Sequence, residues 1–208
     1  MGDEGTLIRV DLDRPAPGEE LTAGPPTQPR PAATVILLRG GAERLEVLLV
    51  RRNPDARFMP GVWVFPGGAL DGTEDHRAAA VRELHEEAGV RLPDPETLVA
   101  FSRWITPPQV AIRFDTLFLL APAPPGAEPR PDGGETVDAG WYAPQDALTG
   151  LELVFPTIKT LEQLSGFATA DELLTWAAGR VVEPVEPRVV IEGEVARVVL
   201  PGEPGYRD

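Results

Sequence analysis

Residues 68–90 constrain this chain more than any other stretch. Gly68 is followed after five residues by Glu74, and after seven more by Arg82-Glu83-Leu84, Glu86-Glu87 and Gly89-Val90. Asp75 to Ala88 contains no Pro or Gly and is rich in Ala, Leu, Arg and Glu, so a helix is expected there. Asp71-Gly72 forms a turn ahead of it, with Thr73 or Asp75 as N-cap and Gly89 as left-handed stop. At about 100° per residue, Val81, Leu84 and Ala88 line up as a narrow apolar stripe. Glu83, Glu86 and Glu87 fall in a separate arc, roughly opposite.

Three carboxylates so close on one helix repel one another unless a counter-charge joins them. A hard divalent cation with oxygen ligands, Mg²⁺ or Mn²⁺, is the natural candidate. For an isolated E-x-x-E-E motif the competing reading is a solvated helix face. The surroundings argue for the cation. Phe65-Pro66-Gly67-Gly68 precedes the helix by a short loop, and its glycines let backbone carbonyls approach a metal. Arg82 can orient a neighbouring glutamate through a bidentate pair. His76 and His85 are read as surface or packing residues.

The segment matches every fixed position of the Nudix box, G-x5-E-x7-R-E-U-x-E-E-x-G-U with U aliphatic, and the chain resembles that family. The resemblance implies an α/β fold, the Nudix α/β/α sandwich with a mixed central sheet. It implies metal-dependent hydrolysis of a nucleoside diphosphate linked to another group. Glu83, Glu86 and Glu87 match the metal-binding glutamates, and the carbonyl of Gly68 or Gly67 matches a backbone ligand. Arg82, Glu74 and Gly89 match supporting positions. The general base stays open among the glutamates. Glu135, in the loop before the strand that reaches Trp141, matches a base or extra ligand in many members; an ordinary exposed acid is the other reading.

Upstream, Leu48, Leu49, Arg52, Arg57, Gly61 and Phe65-Pro66-Gly67-Gly68 fall in register with the signature of coenzyme A diphosphatases, L-L-T-x-R-[SA]-x3-R-x3-G-x3-F-P-G-G. Val50 and Asn53 depart from it. Arg52 and Arg57 would offer rigid forks to the phosphates of coenzyme A. Further segments (Trp104-Ile105-Thr106-Pro107, Arg113-Phe114-Asp115-Thr116, Pro156-Thr157 and the tail through Tyr206) look like the bacterial relatives of the peroxisomal coenzyme A diphosphatase branch. The resemblance spans about residues 32–206, without the long insertion in the box of mammalian members and without a peroxisomal signal at Tyr206-Arg207-Asp208. It implies substrate contacts from Arg52, Arg57, Phe65, Trp104 and Arg113. Trp104 and Trp141 also suit a core, as does the Phe114, Thr116, Phe118 alternation. Other readings keep the chemistry but change the substrate to ADP-ribose, a dinucleotide or a nucleoside triphosphate, or retain only nucleotide binding by a non-catalytic sensor.

Hydrophobic residues make up 42% of the 208, enough for a core, and no run approaches the length of a membrane span. Absence of cysteine excludes disulfides, zinc thiolates and Cys catalysis, and the polar start carries no secretory signal, so a cytoplasmic protein without membrane partners is expected. A net charge of −14 opposes nucleic-acid binding and leaves a small nucleotide as the expected partner. Residues 1–31 read as an arm with a short strand at Thr6–Leu12 and a Pro-rich linker, 32–180 as the hydrolase domain, and 181–208 as a strand extension. Strands are expected at Ala33–Arg39, Leu45–Arg52, Val62–Phe65, Leu98–Ile105, Arg113–Leu120 and Thr136–Tyr142. Pro122 to Gly134 reads as an exposed, mobile loop. Helices are expected near Pro156–Leu164 and Ala170–Ala178, then a hairpin at Val189–Ile191 and Val195–Leu200. The arm and the hairpin edge are compatible with a homodimer.

Overall fold

The computed structural model describes residues 10–11, 20–192 and 195–207. Its spine is strand β2 (Arg30–Arg39), buried at every position from Ala32 to Leu38 and apolar there except for Thr34. Val35 and Leu37 point to one layer, Ile36 and Leu38 to the other. A strand buried on both faces needs no polar alternation, which explains the unbroken run. β7 (Phe114–Pro122) lies parallel to β2, β6 (Val99–Ile105) antiparallel to β7, and β9 (Pro184–Val185) closes the edge parallel to β6. With β3 (Glu46–Arg52), β4 (Trp63–Val64), β5 (Gly67–Ala69) and β8 (Thr136–Tyr142) they form an 8-stranded mixed sheet. Helix α1 (His76–Ala88) covers one face; α2 (Pro144–Gly150), α3 (Phe155–Leu164) and α4 (Ala170–Ala177) cover the other. This is the expected α/β/α arrangement.

The sheet splits at its centre. β2 pairs with β3 only at Leu38–Val47 and Arg39–Glu46. Lower down, Ala32, Ala33 and Thr34 pair with Ala69, Gly68 and Gly67 of β5 instead, while Val50 and Arg51 of β3 pair with β4. The Phe65-Pro66 link is held in the gap by Val35 N–H donating to Pro66 O at 2.9 Å. Two short strands separated by a proline therefore carry Gly67 and Gly68 to the floor beneath α1.

A second sheet orders β1 (Val10–Asp11), β11 (Val195–Val199) and β10 (Arg188–Glu192), the last two forming the expected hairpin. Of the expected strand at Thr6–Leu12, only Val10 and Asp11 lie among the described residues. The Pro-rich segment is tied to the body where it is described: Thr22 N–H donates to Gln109 O, and Ala111 N–H to Glu20 O. The Pro/Gly loop after β7 is likewise anchored, through Arg130 N–H to Ala88 O at 2.8 Å. Among the described residues, no helix is long and apolar enough to cross a membrane.

Candidate active site

Helix α1 begins and ends on sequence-encoded caps. Asp75 accepts from Ala78 N–H at 2.9 Å, and Gly89, at φ 66°, donates its N–H back to His85 O. Ala79, Ala80, Leu84 and Ala88 bury the helix against the sheet, while Val81 is only half-buried. The acidic arc lies away from this stripe, as the spacing predicts, but it is not a solvated face. Glu83 and Glu87 retain only 9% and 2% exposure, and Glu86 alone faces solvent. The helical wheel gives angles correctly but cannot show that the β4–β5 turn extends the buried arc across both glutamates.

The glycine turn explains how carboxylates fit there. Gly67 N–H donates to Glu87 Oε2 at 2.9 Å, and the Glu83 carboxylate lies against Gly68 where a Cβ would stand. Arg82 gathers the rest. Its Nη1 donates to Glu83 Oε1 at 2.7 Å and Glu86 Oε2 at 2.9 Å. Its Nη2 and Nε grip Glu74, and Nη2 also reaches Ala69 O at 3.1 Å. Glu74 in turn accepts Asp71 N–H at 2.6 Å, which ties the preceding turn to the arginine. The expected orienting pair thus exists, with Glu74 as its bidentate half.

Burial pushes the Glu87 carboxyl up to about 8, opposed by the Gly67 N–H bond and reinforced by neighbouring Glu83. Burial also raises Glu83, against the pull of Arg82. Glu135 is exposed, and its charge adds to the rise at both buried glutamates. Its loop is fixed by Asp132, which accepts from the N–H groups of Gly134, Glu135 and Thr136. Desolvation raises the Asp132 carboxyl, but those bonds outweigh it and hold it below the usual carboxylate range. Thr136, fully buried, joins this loop to α1 by donating to Glu87 O at 2.6 Å.

The donor set suits a hard divalent ion: oxygen ligands only, two of them desolvated, on a turn where glycine leaves the space a side chain would fill. The glutamates are separately engaged by Arg82 and Gly67. Among the described residues, no three acidic or imidazole groups converge into a ready-made cage.

Beside the turn opens a cavity of ≈ 260 Å³, with Gly67 and Arg52 in its wall. Arg52, Phe65 and Trp104, expected at the substrate, all line it. Arg52 donates Nε to Phe58 O at 3.1 Å, and its charge draws the Glu87 carboxyl down. Arg57 is exposed and is not part of the cavity wall. Arg113 is not there either. Only 7% exposed, it donates to Thr106 O, Thr27 O and Glu186 Oε1, clamping three distant segments. Of Phe114, Thr116 and Phe118, read as core from their alternation, Phe118 is indeed buried in the core, and all three also line the cavity. Sequence reasoning missed the walls supplied by Phe58, Phe155, Val189 and Val198. The available signals were that Phe155 adjoins Pro156-Thr157, noted for its resemblance, and that Val189 and Val198 belong to the expected hairpin.

The NUDIX domain family model matches residues 28–163. Human acyl-coenzyme A diphosphatase NUDT19 is 24% identical over 89% of this chain and 76% of its own length. NAD-capped RNA hydrolase NudC of Chromobacterium violaceum is 33% identical over 58% of this chain, which spans 40% of that protein. Putative nudix hydrolase 7 of Caenorhabditis elegans is 47% identical over 66 residues, 29% of this chain and only 22% of that protein's length. Among solved structures, a NUDIX hydrolase from Alicyclobacillus acidocaldarius superposes with a TM-score of 0.64 at 29% identity, over 72% of this chain and 96% of the other. Fold, box residues and family match agree: this chain belongs to the Nudix hydrolase family.

Proposed function

We propose that the protein is a metal-dependent diphosphatase that cleaves the pyrophosphate of coenzyme A or an acyl-coenzyme A. The observation that carries this reading is the pair of buried carboxylates, Glu83 and Glu87, beneath the Gly67-Gly68 turn at a cavity lined by Arg52. Glu83, Glu86 and Glu87, with the carbonyl of Gly68 or Gly67, would hold Mg²⁺ or Mn²⁺. Such an ion, when bound, neutralises charge on the reacting phosphate oxygens.

The chain's own residues do the rest. Gly67 N–H orients Glu87, and Arg82 fixes the rotamers of Glu83 and Glu86 from a Glu74-anchored position. Arg52 offers its remaining guanidinium N–H groups to a phosphate oxygen entering past Gly67. Glu135 and the box glutamates share the role of candidate base. The coenzyme A choice draws on the Arg52-to-Gly68 signature and on the similarity to the human acyl-coenzyme A diphosphatase along most of the chain. The division at 31/32 and 180/181 and a cytoplasmic location belong to the same proposal.

The test is incubation of purified protein with Mg²⁺ or Mn²⁺ and coenzyme A, ADP-ribose, NADH or dGTP in parallel. Release of 4′-phosphopantetheine and adenosine 3′,5′-bisphosphate is the expected result. Consumption of another nucleotide with coenzyme A untouched moves the substrate. Consumption of none removes the enzymatic reading.

A further inference from the structure

β8 changes face at its first residues. Ala139 and Trp141 pack in the α1 layer and Tyr142 in the other, so unbroken alternation would turn Thr136 away from α1. A register shift against β3 reverses this. Arg51 pairs with Asp138 but Arg52 with Thr136, so Val137 is the extra residue of a bulge. Thr136 thereby meets α1 and donates to Glu87 O at 2.6 Å. Immediately before it stands Glu135, whose charge is among those that raise both buried box carboxyls.

The loop that carries Glu135 is held from two directions. Within the loop, Asp132 accepts from the N–H groups of Gly134, Glu135 and Thr136, and Gly133, at φ 78°, donates its N–H to Thr136 O at 2.8 Å. From the end of β3, Asn53 N–H donates to Glu135 O at 2.8 Å, and its side-chain Nδ2 donates to Gly134 O at 2.7 Å. Asn53 Oδ1 meanwhile accepts from Asp55 N–H at 2.9 Å, the ordinary turn-forming use of an asparagine. That use needs one polar atom of the side chain. The other reaches across 81 positions of sequence to the residue beside Glu135. Asn53 is also one of the two departures from the coenzyme A diphosphatase signature, which has Ser or Ala there, and neither of those side chains is long enough to make both contacts. We infer that Asn53 is a positioning residue for hydrolysis: its bond to Gly134 O fixes the loop that presents Glu135 to the box glutamates. The inference rests on the hydrolase reading and not on coenzyme A as the substrate.

The experiment compares wild type, Asn53→Ser, Glu135→Gln and the double variant on whichever of coenzyme A, ADP-ribose, NADH or dGTP the wild type consumes. Serine keeps an oxygen for Asp55 N–H and loses the donor to Gly134 O, so it removes the clamp and spares the turn. Asn53→Ser lowers kcat about tenfold with KM within about twofold of wild type, since even a small misplacement of a reacting group is costly. Glu135→Gln lowers kcat at least as far, and the double variant is no slower than Glu135→Gln alone, because both changes act through one carboxylate. In the metal-free protein, amide exchange at Gly134, Glu135 and Thr136 speeds up about tenfold or more in Asn53→Ser and stays unchanged in Glu135→Gln, with the Leu84 amide of α1 as reference. Losses that multiply in the double variant, near-normal kcat in either single variant, or unchanged exchange in Asn53→Ser overturn the inference. Turnover of a nucleotide other than coenzyme A moves the substrate and leaves the inference standing. If wild type consumes none of these compounds, the proposed function is what fails, and the exchange measurement alone decides whether Asn53 holds the Glu135 loop.

Discussion

The Glu83 carboxylate occupies the place that a Cβ on residue 68 would need. One position along, a Cβ on Gly67 would meet backbone, with Thr34 Cα at 2.7 Å. Two adjacent glycines therefore protect different things. Gly68→Ala displaces a carboxylate whose side chain can swing, so the expected loss is in cation affinity and turnover, roughly 10–100-fold, with little change in stability. Gly67→Ala pushes β5 away from β2 and costs about 1–3 kcal/mol of folding stability. Urea midpoints together with Mn²⁺ titrations on both variants check the contrast; equal stability losses would contradict it.

Glu87 accepts from Gly67 N–H on the turn, and Glu86 accepts from Arg82 on its own helix. Glu86→Gln and Glu87→Gln keep the shape of these contacts while removing charge. Turnover should drop by roughly 10³-fold or more in each, because electrostatic stabilisation of the reacting phosphates supplies most of the rate. Circular dichroism should stay that of wild type. Near-normal kcat in both variants would strip these residues of their assigned role.

How much of this was legible in sequence depends on how local each feature is. The helix up to Gly89 is encoded locally: its left-handed stop at Gly89 was read correctly, and of the two N-cap candidates, Thr73 and Asp75, it is Asp75 that caps. The burial of Glu83 and Glu87 was not legible, because the turn that covers them belongs to a different element and periodicity carries no information about what lies on top. Arg113 illustrates the same limit. Its partners Thr27 and Glu186 lie 86 and 73 positions away, and a lone arginine beside Phe114-Asp115-Thr116 gives no sign of them. Phe114 and Phe118 alternate as a core face would, and a strand lining an apolar cavity has the same pattern.

Arg52 and Arg57 share a sequence signature but not a location. Arg52 lines the cavity near Glu87, whereas Arg57 is exposed on the following loop. Arg52→Ala should lower kcat/KM about tenfold to a hundredfold for coenzyme A and for its 3′-dephospho analogue alike, as loss of a charge-assisted bond to the shared pyrophosphate demands. Arg57→Ala should act, if on either substrate, only on the one that carries the 3′-phosphate. Kinetics of both variants on both compounds decide; a larger general effect from Arg57 would reverse the assignment.

Arg113, itself buried, joins Thr27, the Thr106 turn and Glu186, so its removal breaks three charge-assisted hydrogen bonds between separate segments at once. Arg113→Ala should destabilise the fold by about 2–4 kcal/mol. Because lysine cannot reproduce three divergent N–H directions, Arg113→Lys should recover only a minor part. Denaturant titration measures both. A loss within about 0.5 kcal/mol for the alanine variant would show that the clamp is dispensable.

Asp115 pairs with Arg103 across β6 and β7, through Nε at 2.7 Å and Nη2 at 2.6 Å. These bonds, first among the causes, hold the Asp115 carboxyl below its ordinary value of 3.8. Its folded pKa is depressed, so the pair stabilises the protein fully above the unfolded pKa and loses that contribution as pH falls through the folded one. Arg103 is nearly half exposed, which limits the contribution to about 1 kcal/mol or less after solvent screening. Asp115→Asn should therefore narrow the stability difference between pH 7 and pH 3 by that amount, and high salt should shrink the effect further. Stability curves for wild type and variant against pH, at low and high ionic strength, provide the check. An unchanged pH dependence in the variant would mean that the ion pair contributes nothing to acid sensitivity.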